Sequence, residues 1–364
     1  MKLVMSGGGT GGHLFPALAL AEEFKNTIPD VEVIFTGSKG RMEEKIIPEY
    51  GYELYLFEVE AIKKRSGLNR IRSIVKAFKA VLNAITMLKQ VRPDGVIGSG
   101  SYSSGPVLLA ASFLGIKTAI LEQNAMPGFT NRVLGKFVDR IYTAFEEAGT
   151  YFPAKRTYLA GNPVRKEILS IVDKRASARD KSSGRFNLLV FGGSQGATAI
   201  NASFLDAAEH LTDIWKDLNV VHQSGEEGYK MAEEAYKRKG LDVELYKFIQ
   251  DMASVYEKSD LVICRAGATS IAELTSLGIA SILVPYPFAS DDHQEINGRC
   301  LEKRNAAHII KQDELTGKVL ADGIRKFYED RKLLRNTESS ARSMGRPDAS
   351  KAIVEDYLKM FKKV

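Results

Sequence analysis

Residues 2–13 read KLVMSGGGTGGH, a short apolar strand pattern that runs into five glycines and then into a helical pattern. The same order recurs in residues 187–197, which read NLLVFGGSQGA. Glycines at such a turn let a ligand approach the backbone closely, and the N–H groups and dipole of the following helix favour an anion. Two starts of this kind predict two Rossmann-like domains in tandem, not one long sheet.

The rest of the chain alternates β-branched runs with helical patterns, which is typical of parallel sheets covered by helices on both faces. The predicted strands are Leu3–Met5, Val31–Thr36, Glu53–Phe57, Gly95–Ile97, Thr118–Leu121, Asn187–Phe191, Asn219–His222, Val243–Tyr246, Leu261–Cys264 and Ser281–Val284. A length of 364 residues, at about 150 residues per domain, fits two α/β domains. We place them at residues 1–163 and 164–344, divided near Gly161-Asn162-Pro163. A C-terminal helix at 345–364 could pack back on the first domain.

The composition excludes several protein classes. Hydrophobic residues make up 44% and charged residues 26%, which excludes a disordered or fibrous chain. Two cysteines, Cys264 and Cys300, imply no disulfide framework and fit a reducing cytoplasm. Glycines follow the first apolar residues too soon for a signal peptide. The uncharged stretch 95–116 is rich in Gly, Ser and Pro, so it is a poor membrane span.

The net charge of +6 is concentrated in residues 61–92, which hold nine basic residues and no acidic one, so the remaining chain sums to −3. The nine are Lys63, Lys64, Arg65, Arg70, Arg72, Lys76, Lys79, Lys89 and Arg92. From Leu68 onward, apolar residues at three- and four-residue spacing predict an amphipathic helix. Such a helix could lie on an anionic bilayer, or it could be packed with a solvated basic face. Nucleic acid is disfavoured because no helix-turn-helix, zinc-finger or RNA-stacking signature accompanies the charge.

His13 follows the first glycine loop, which formally contains the G-x-G-x-x-G pattern of dinucleotide-binding folds. That pattern also needs an acidic residue at the end of the second strand, and this strand ends in Phe35-Thr36-Gly37-Ser38, so NAD binding is disfavoured. A histidine beside an anion-binding turn could be a general base, or it could be a capping or packed side chain.

Two turns of the second domain carry groups suited to a phosphorylated ligand. Ser194 in the second glycine loop could donate to a phosphate oxygen, or the loop could be a plain strand–helix connection. Thr269 and Ser270 could cap a helix that begins near residue 269 and bind phosphate. Glu273 is suitably spaced to accept hydrogen bonds from two ribose hydroxyls, or it could complement the helix dipole.

Two further polar segments follow predicted strands. Gln123 and Asn124 could present their amides toward a cleft between the domains, or they could simply form a turn. Asp291, Asp292 and His293 could be metal ligands, but no other His or Cys cluster supports this, so we predict no metal site.

Taken together, these segments resemble the MurG-type glycosyltransferases of family 28. The matching motifs cover nearly the whole chain in order: GGTGGHLFPALALA, GSGSYSSGP, EQNAMPGFTNR, GNPVR, FGGSQGA, FIQDM, CRAGATSIAE and DDHQE. The resemblance implies the GT-B fold, two Rossmann-like domains with parallel sheets facing a central cleft. It implies inverting transfer of N-acetylglucosamine (GlcNAc) from UDP-GlcNAc to the C4 hydroxyl of the muramoyl sugar of lipid I, undecaprenyl-diphospho-muramoylpentapeptide. The product would be lipid II, made for peptidoglycan at the cytoplasmic face of the membrane by a peripheral enzyme without a cofactor.

The family's functional residues carry over onto the matching positions. His13 matches the histidine proposed as catalytic. The implied donor-binding residues are Thr10, Gly11, Gly12, Asn124, Arg165, Ser194, Ile249, Ala268, Thr269, Ser270, Ile271, Ala272, Glu273 and Gln294. Of these, Ile249 would hold the uracil through its backbone, Glu273 the ribose and Gln294 the sugar.

The remaining donor-binding residues fall into two groups by their implied partner. Ser194 and the 268–270 turn would face the diphosphate, with Arg165 nearby. Residues 10–12 and Asn124 would close over the donor from the first domain. Glu295 departs from the family, in which a second consecutive glutamine is frequent.

Two other classes of function stay open. Another GT-B enzyme, such as a glycolipid synthase or a UDP-GlcNAc 2-epimerase, could share these motifs, although an epimerase needs neither a lipid acceptor nor a basic membrane face. A non-catalytic, membrane-docked protein that binds a nucleotide sugar is the second. We expect UDP-GlcNAc, lipid I and an anionic membrane surface as partners, the last through residues 61–92, and no nucleic acid.

Overall fold

The computed structural model describes residues 1–57, 68–101, 104–179, 184–193 and 195–361. The chain divides into two units: unit 1 comprises Met1–Arg165 and Pro347–Val364, and unit 2 comprises Lys166–Arg346. Several residues that carry predictions, namely Lys63, Lys64, Arg65 and Ser194, lie outside the described residues. The side chains of residues 68–77 lie outside them as well.

Within the described residues, unit 1 is built around a seven-stranded parallel sheet. Its strands are β1 (Lys2–Ser6), β2 (Glu32–Ser38), β3 (Glu53–Phe57), β4 (Gly95–Gly98), β5 (Lys117–Glu122), β6 (Arg140–Thr143) and β7 (Thr157–Leu159). Its helices up to residue 165 are α1 (Gly11–Thr27), α2 (Glu43–Glu49), α3 (Leu68–Val91), α4 (Ser104–Phe113), α5 (Phe129–Leu134) and α6 (Glu146–Gly149). The strand order β3-β2-β1-β4-β5-β6-β7 reverses direction between β1 and β4. Ligands of open α/β sheets bind at such a switch point.

Unit 2 repeats this plan with a six-stranded parallel sheet in its described residues. Its strands are β8 (Phe186–Phe191), β9 (Leu218–Gln223), β10 (Glu244–Tyr246), β11 (Leu261–Cys264), β12 (Ala280–Leu283) and β13 (His308–Ile309). Its helices are α7 (Lys166–Leu169), α8 (Val172–Arg179), α9 (Thr198–Ala207), α10 (Gly225–Lys239), α11 (Met252–Lys258), α12 (Ala268–Leu277), α13 (His293–Glu302), α14 (Gly317–Glu329) and α15 (Arg331–Met344). The order β10-β9-β8-β11-β12-β13 places the switch point between β8 and β11.

The core of each unit lies between its sheet and the helices. In unit 1, Leu14, Leu18 and Phe24 of α1 are buried in one apolar cluster with the sheet, and Met87 and Leu88 of α3 are buried in a second cluster. The central strands are buried throughout, as in β4 and β11, because helices cover both faces of a parallel sheet. Continuous apolar runs, not alternating ones, are therefore the pattern that these strands show.

The last helix, α16 (Ala349–Lys359), belongs to unit 1 and packs against its first 165 residues. The Tyr357 hydroxyl donates to the Lys117 carbonyl at 3.0 Å, and the Tyr357 ring meets Phe24 of α1 edge-on. Asp356 accepts hydrogen bonds from the Arg140 guanidinium and the Tyr142 hydroxyl. A buried tyrosine and a carboxylate with two donors thus attach the end of the chain to the sheet of the first unit.

The prediction of two parallel-sheet α/β domains is confirmed. Each predicted strand lies within two residues of its observed position, and Glu53–Phe57 and Leu261–Cys264 coincide with it. Sequence reasoning did not identify β6, β7 and β13, which have four, three and two residues.

Helix α3 packs only part of its predicted apolar stripe against unit 1, where Val81 and Ile85 are partly buried. Its described buried side chains include Ala84, Met87 and Leu88, whereas Phe78 is 65% exposed and Leu82 48% exposed. Part of the predicted apolar stripe is therefore not covered by unit 1. Among the described residues, we find no helix long and apolar enough to cross a membrane.

Candidate functional site

The first glycine loop connects β1 to α1 at the switch point of unit 1. The Gly7 N–H donates to the Thr36 carbonyl at 3.2 Å. A Cβ atom at Gly7 would lie 1.9 Å from Ser99 Oγ, so the residue that follows β4 can pack here only against a glycine. Gly9 has a φ of +81°, in the left-handed region that favours glycine. The glycines are thus required by close packing and by backbone conformation.

Glu43, the first residue of α2, holds this loop through hydrogen bonds to its carboxylate. Its buried carboxylate accepts hydrogen bonds from the Gly9 N–H at 2.8 Å and the Ser38 N–H at 2.9 Å. A Cβ atom at Gly8 or Gly37 would come within 2.4 or 2.5 Å of Glu43 atoms. Sequence reasoning missed Glu43, because only the order of β1 and β2 in the sheet brings the two N–H groups together.

His13, in the first turn of α1, is oriented by two oxygen atoms. Its Nδ1 lies 2.8 Å from the Ser99 carbonyl oxygen and 3.2 Å from Gln123 Oε1. The Gln123 amide is itself oriented, because its Nε2 donates to the same Ser99 carbonyl at 2.7 Å. Both described neighbours of Nδ1 are acceptors, which favours the neutral tautomer with the proton on Nδ1 and the lone pair on Nε2. That tautomer is the one a general base acting through Nε2 requires.

Gly100 makes room for this histidine ring. Its φ is +98°, and a Cβ atom there would lie 2.8 Å from Cε1 and Nδ1 of His13. The glycine is therefore required both by its backbone conformation and by the approach of the ring. The next residue, Ser101, adopts a φ of +74° without being a glycine, which marks this turn as strained.

Glu122 organises the loop that carries Asn124. Its buried carboxylate accepts from the backbone N–H groups of Asn124 and Gly128, at 3.0 and 3.3 Å, and from the Asn131 side chain at 2.9 Å. Burial raises the pKa of Glu122 to about 7, although these donors act in the opposite direction. Asn124 is half-buried, and its position follows from this carboxylate. The predicted donor-binding Asn124 thus depends on an acid that sequence reasoning did not single out.

The second glycine loop follows β8 at the switch point of unit 2. A Cβ atom at Gly192 would lie 2.2 Å from the Ala197 nitrogen, and one at Gly196 would lie 2.3 Å from the Ser224 carbonyl oxygen. The Gly196 N–H donates to the Gly193 carbonyl at 3.1 Å and closes the turn. The loop therefore packs tightly on the turn that follows β9.

Ile249 lies in the segment between β10 and α11. Its backbone N–H donates to Gln223 Oε1 at 2.8 Å. A contact from the Ile249 backbone to uracil, as the resemblance implies, would therefore use its carbonyl group, or share the N–H with Gln223. Sequence reasoning missed Gln223, which ends β9 and gives no local signal.

Helix α12 begins at Ala268, with Gly267 as its N-cap. The expectation that Thr269 and Ser270 cap this helix is wrong, because both residues lie inside its first turn and no side chain caps it. The first turn holds no acidic residue, so its N–H groups and positive dipole end are not offset by a carboxylate there. This end of α12 suits an anion.

Glu273 lies further along α12 and is only 4% exposed. The Tyr256 hydroxyl donates to its Oε2 at 3.2 Å. Burial, together with the nearby Glu273 carboxylate, raises the pKa of Cys264. Glu273 is therefore a buried acid, and Tyr256, which the sequence did not point to, holds one of its oxygens.

Gln294 and Glu295 lie in the first turn of α13 and have separate partners. Gln294 Oε1 accepts from the Tyr286 N–H at 3.0 Å, so its amide nitrogen is the group left to contact a sugar. Glu295 pairs with Lys311 at 2.7 Å and with Arg299 at 3.6 Å. The residue that departs from the family pattern thus forms half-exposed ion pairs.

Four other predicted residues are placed as follows. Arg165 belongs to unit 1, where its guanidinium lies over the Phe15 ring of α1 at 5.2 Å. His293 Nδ1 lies 2.7 Å from the Ser290 carbonyl. Asp291 and Asp292 both have positive φ, at 52° and 50°. Among the described residues, no group of three or more His, Cys, Asp or Glu side chains could hold a metal ion.

Comparisons with known proteins cover the whole chain. The model of the glycosyltransferase family 28 N-terminal domain matches residues 3–143, and that of the family 28 C-terminal domain matches residues 187–353. A protein of Syntrophus aciditrophicus (strain SB) is 43% identical over 362 residues, which is 100% of this chain and 99% of the relative. A protein of Myxococcus xanthus (strain DK1622) is 42% identical over 355 residues, 98% and 92% of the two chains. Both are named UDP-N-acetylglucosamine--N-acetylmuramyl-(pentapeptide) pyrophosphoryl-undecaprenol N-acetylglucosamine transferase.

Solved structures give the same fold. The crystal structure of MurG from Acinetobacter baumannii is 32% identical, with a TM-score of 0.81 over 99% of each chain. A UDP-GlcNAc 2-epimerase from Neisseria meningitidis bound to UDP-GlcNAc has a TM-score of 0.68 over 99% of this chain and 100% of its own, but is 14% identical. At that identity the likeness concerns the fold alone.

The buried Glu122 carboxyl makes the stability of unit 1 depend on pH. Its folded pKa of about 7 lies above the unfolded value of about 4.3, so the folded state binds the extra proton between these values. Stability should fall as pH rises through this window and level off above it. Relative to Glu122→Gln, the wild type should lose up to about 3 kcal/mol between pH 4.5 and 8.

Urea unfolding of the two proteins, followed by circular dichroism from pH 4.5 to pH 8, measures this difference. Trp215 is the single tryptophan and lies in unit 2, so its fluorescence reports that unit separately. A parallel pH dependence for the wild type and the variant would contradict the raised pKa.

Proposed function

The chain belongs to glycosyltransferase family 28, and from this we propose that it transfers GlcNAc from UDP-GlcNAc to the C4 hydroxyl of the muramoyl sugar of lipid I. The observation that carries the proposal is the full-length match, at 43% identity, to a relative named for this transfer. The fold is GT-B, with a glycine loop at the switch point of each sheet. The product is lipid II, and the anomeric centre is inverted.

His13 acts as the general base in this proposal. As the C4 oxygen of the acceptor attacks C1 of GlcNAc, a C1–O bond forms and the bond from C1 to the phosphate oxygen breaks. UDP leaves with the electron pair, and the acceptor proton passes to Nε2 of His13. Two acceptors at Nδ1 support this role, because they hold the proton there and leave the lone pair on Nε2.

Unit 2 holds the donor in this proposal. The N-terminus of α12, at residues 268–270, faces the diphosphate and stabilises the charge that develops on the departing UDP. Ile249 contacts the uracil, Glu273 the ribose, and the Gln294 amide nitrogen the sugar. The absence of an acid from the first turn of α12 supports this placement of the diphosphate.

The membrane surface is the third partner that we propose. The acceptor carries an undecaprenyl chain, which stays in the bilayer, so the enzyme works at the cytoplasmic face of the membrane. Helix α3 supports this, because Phe78 and Leu82 lie one turn apart and are exposed beside the exposed Lys79. Burying a Phe or Leu side chain contributes about 1.5–3 kcal/mol, and each basic residue near an anionic surface about 1 kcal/mol. An apolar pair within a basic segment fits a lipid surface better than nucleic acid.

Transfer is tested by incubating the protein with labelled UDP-GlcNAc and a lipid I analogue, with and without a chelator. We expect label in the lipid fraction in both cases. Label that never reaches the lipid would overturn the proposed function. Turnover that needs the metal which the chelator removes would overturn the metal-free form of the mechanism.

The base is tested by His13→Ala in the same assay. We expect turnover to fall by about 10²- to 10⁴-fold, with the affinity for UDP-GlcNAc nearly unchanged. His210→Ala, at an exposed histidine of unit 2, is the matched control and should keep full turnover. If His13→Ala kept a near-normal rate, another group would have to take the proton.

Docking is tested by co-sedimentation with vesicles that contain an anionic phospholipid. Phe78→Ser with Leu82→Ser, and separately Lys79→Glu, should each reduce the bound fraction, and added salt should weaken wild-type binding. Met231→Ser removes an exposed apolar side chain from unit 2 and should have no effect. Binding that ignores all three α3 substitutions would assign the docking surface elsewhere.

A further inference from the structure

Gln223 lies where the loops of three neighbouring strands meet. It is the last residue of β9, which lies between β8 and β10 in the sheet. In the strand register it pairs with Phe191 and Tyr246, the last residues of those two strands. Its side chain is 1% exposed. From this position one side chain can reach the loops that leave both neighbouring strands.

The Gln223 amide bonds to both loops. Its Oε1 accepts from the Ile249 N–H at 2.8 Å, three residues beyond the end of β10. Its Nε2 donates to the Gly193 carbonyl at 2.9 Å, two residues beyond the end of β8. A glutamate would lack the donor, and leucine would lack both groups. The position thus requires a donor and an acceptor on one uncharged side chain.

The two partners of Gln223 belong to different parts of the proposed donor site. Ile249 is the residue proposed to contact the uracil, and Gly193 lies in the glycine loop after β8, where the resemblance implies a contact with the diphosphate. The Gly193 carbonyl also accepts from the Gly196 N–H, so the Gln223 bond acts on the turn itself. A fixed separation between these segments lowers the ordering cost of binding both ends of UDP.

We infer that Gln223 is a positioning residue for UDP, holding the uracil segment and the diphosphate loop at the spacing of the nucleotide. The inference rests on the proposed function, since it takes the donor to lie on these two segments. Gln223 does not touch the reacting atoms. It should therefore act on donor affinity and on KM for UDP-GlcNAc, with kcat at saturating donor little changed.

Two substitutions separate the two halves of the amide. Gln223→Glu keeps an acceptor for Ile249 but places an oxygen against the Gly193 carbonyl, whereas Gln223→Leu removes both bonds without adding charge. Calorimetric titration measures the affinity for UDP, which carries the diphosphate, and for uridine, which lacks it. For Gln223→Glu, UDP should bind at least about tenfold more weakly, and uridine should change by less than about threefold. For Gln223→Leu, both should weaken, UDP more than uridine.

Ser259→Ala is the matched control. Ser259 is a buried residue of unit 2 whose hydroxyl donates to the Val255 carbonyl at 2.7 Å. It precedes β11 and so lies at the amino ends of the strands, whereas Gln223 lies at their carboxyl ends. Ser259→Ala therefore removes one buried hydrogen bond of unit 2 and measures the effect of a purely structural loss. Ser259→Ala should keep both affinities and KM. The inference is overturned if Gln223→Leu binds UDP like the wild type, or if the two variants lower both affinities in the same ratio.

The same titrations keep the proposed function apart from the inference. A wild type that binds UDP but transfers no GlcNAc would remove the proposed reaction, and the Gln223 comparison would still decide the inference. A wild type that binds no UDP would overturn the donor assignment and the inference with it.

Discussion

Every described strand in both sheets runs parallel to its neighbours. Each connection therefore has to return along a helix, and the loops that follow the strands all lie at the carboxyl ends of the strands. At the switch point of each sheet, the adjacent loops run in opposite directions and leave space between them for a ligand. His13 depends on this arrangement directly. The loop after β1 leads into the helix that carries the ring, β4 is followed by the Ser99 carbonyl that orients it, and β5 by the Gln123 amide. No two of these three residues are close in sequence, and only the strand order β1-β4-β5 brings them together.

Whether a buried carboxylate or a buried amide holds these loops depends on the hydrogen-bond donors and acceptors beside it. Among the described residues, the donors to Glu43 and Glu122 are all N–H groups, from Gly9, Ser38, Asn124, Gly128 and Asn131, and a carboxylate accepts at both oxygens. Gln123 and Gln223 each meet one donor and one carbonyl, which only an amide can satisfy at both ends. Burying a neutral amide costs less free energy than burying an ion, so the positions that face both a donor and an acceptor carry an uncharged side chain. The raised pKa of Glu122 is the cost of using a carboxylate in a buried position.

Local pattern sufficed for the alternation of strands and helices, for the two glycine loops and for the placement of His13 at the start of a helix. It did not suffice for the residues that hold those loops. Glu43, Gln123 and Gln223 bond to backbone groups at or just beyond the ends of strands, and these partners can be identified only once the sheet order is known. Thr269 and Ser270 show a different limit, since a hydroxyl residue near a helix start favours an N-cap, yet Gly267 takes that position. In α3, periodicity marked an apolar stripe but could not say which part of it the sheet covers, and Phe78 and Leu82 lie outside the covered part.

Charge in the two units is arranged to suit the two halves of the proposed transfer. A base that accepts a proton through Nε2 works only in the tautomer that has its proton on Nδ1, and two oxygens at Nδ1 favour it over the other tautomer. A departing diphosphate needs positive potential, and α12 provides it because its only acid, Glu273, lies beyond the first turn and is held by Tyr256. Moving that carboxylate into the first turn would place it against the dipole end that the diphosphate uses. The position of Glu273 along α12 therefore serves both proposed contacts, since a ribose lies beyond the diphosphate and its hydroxyls can donate to an acid placed further along the helix.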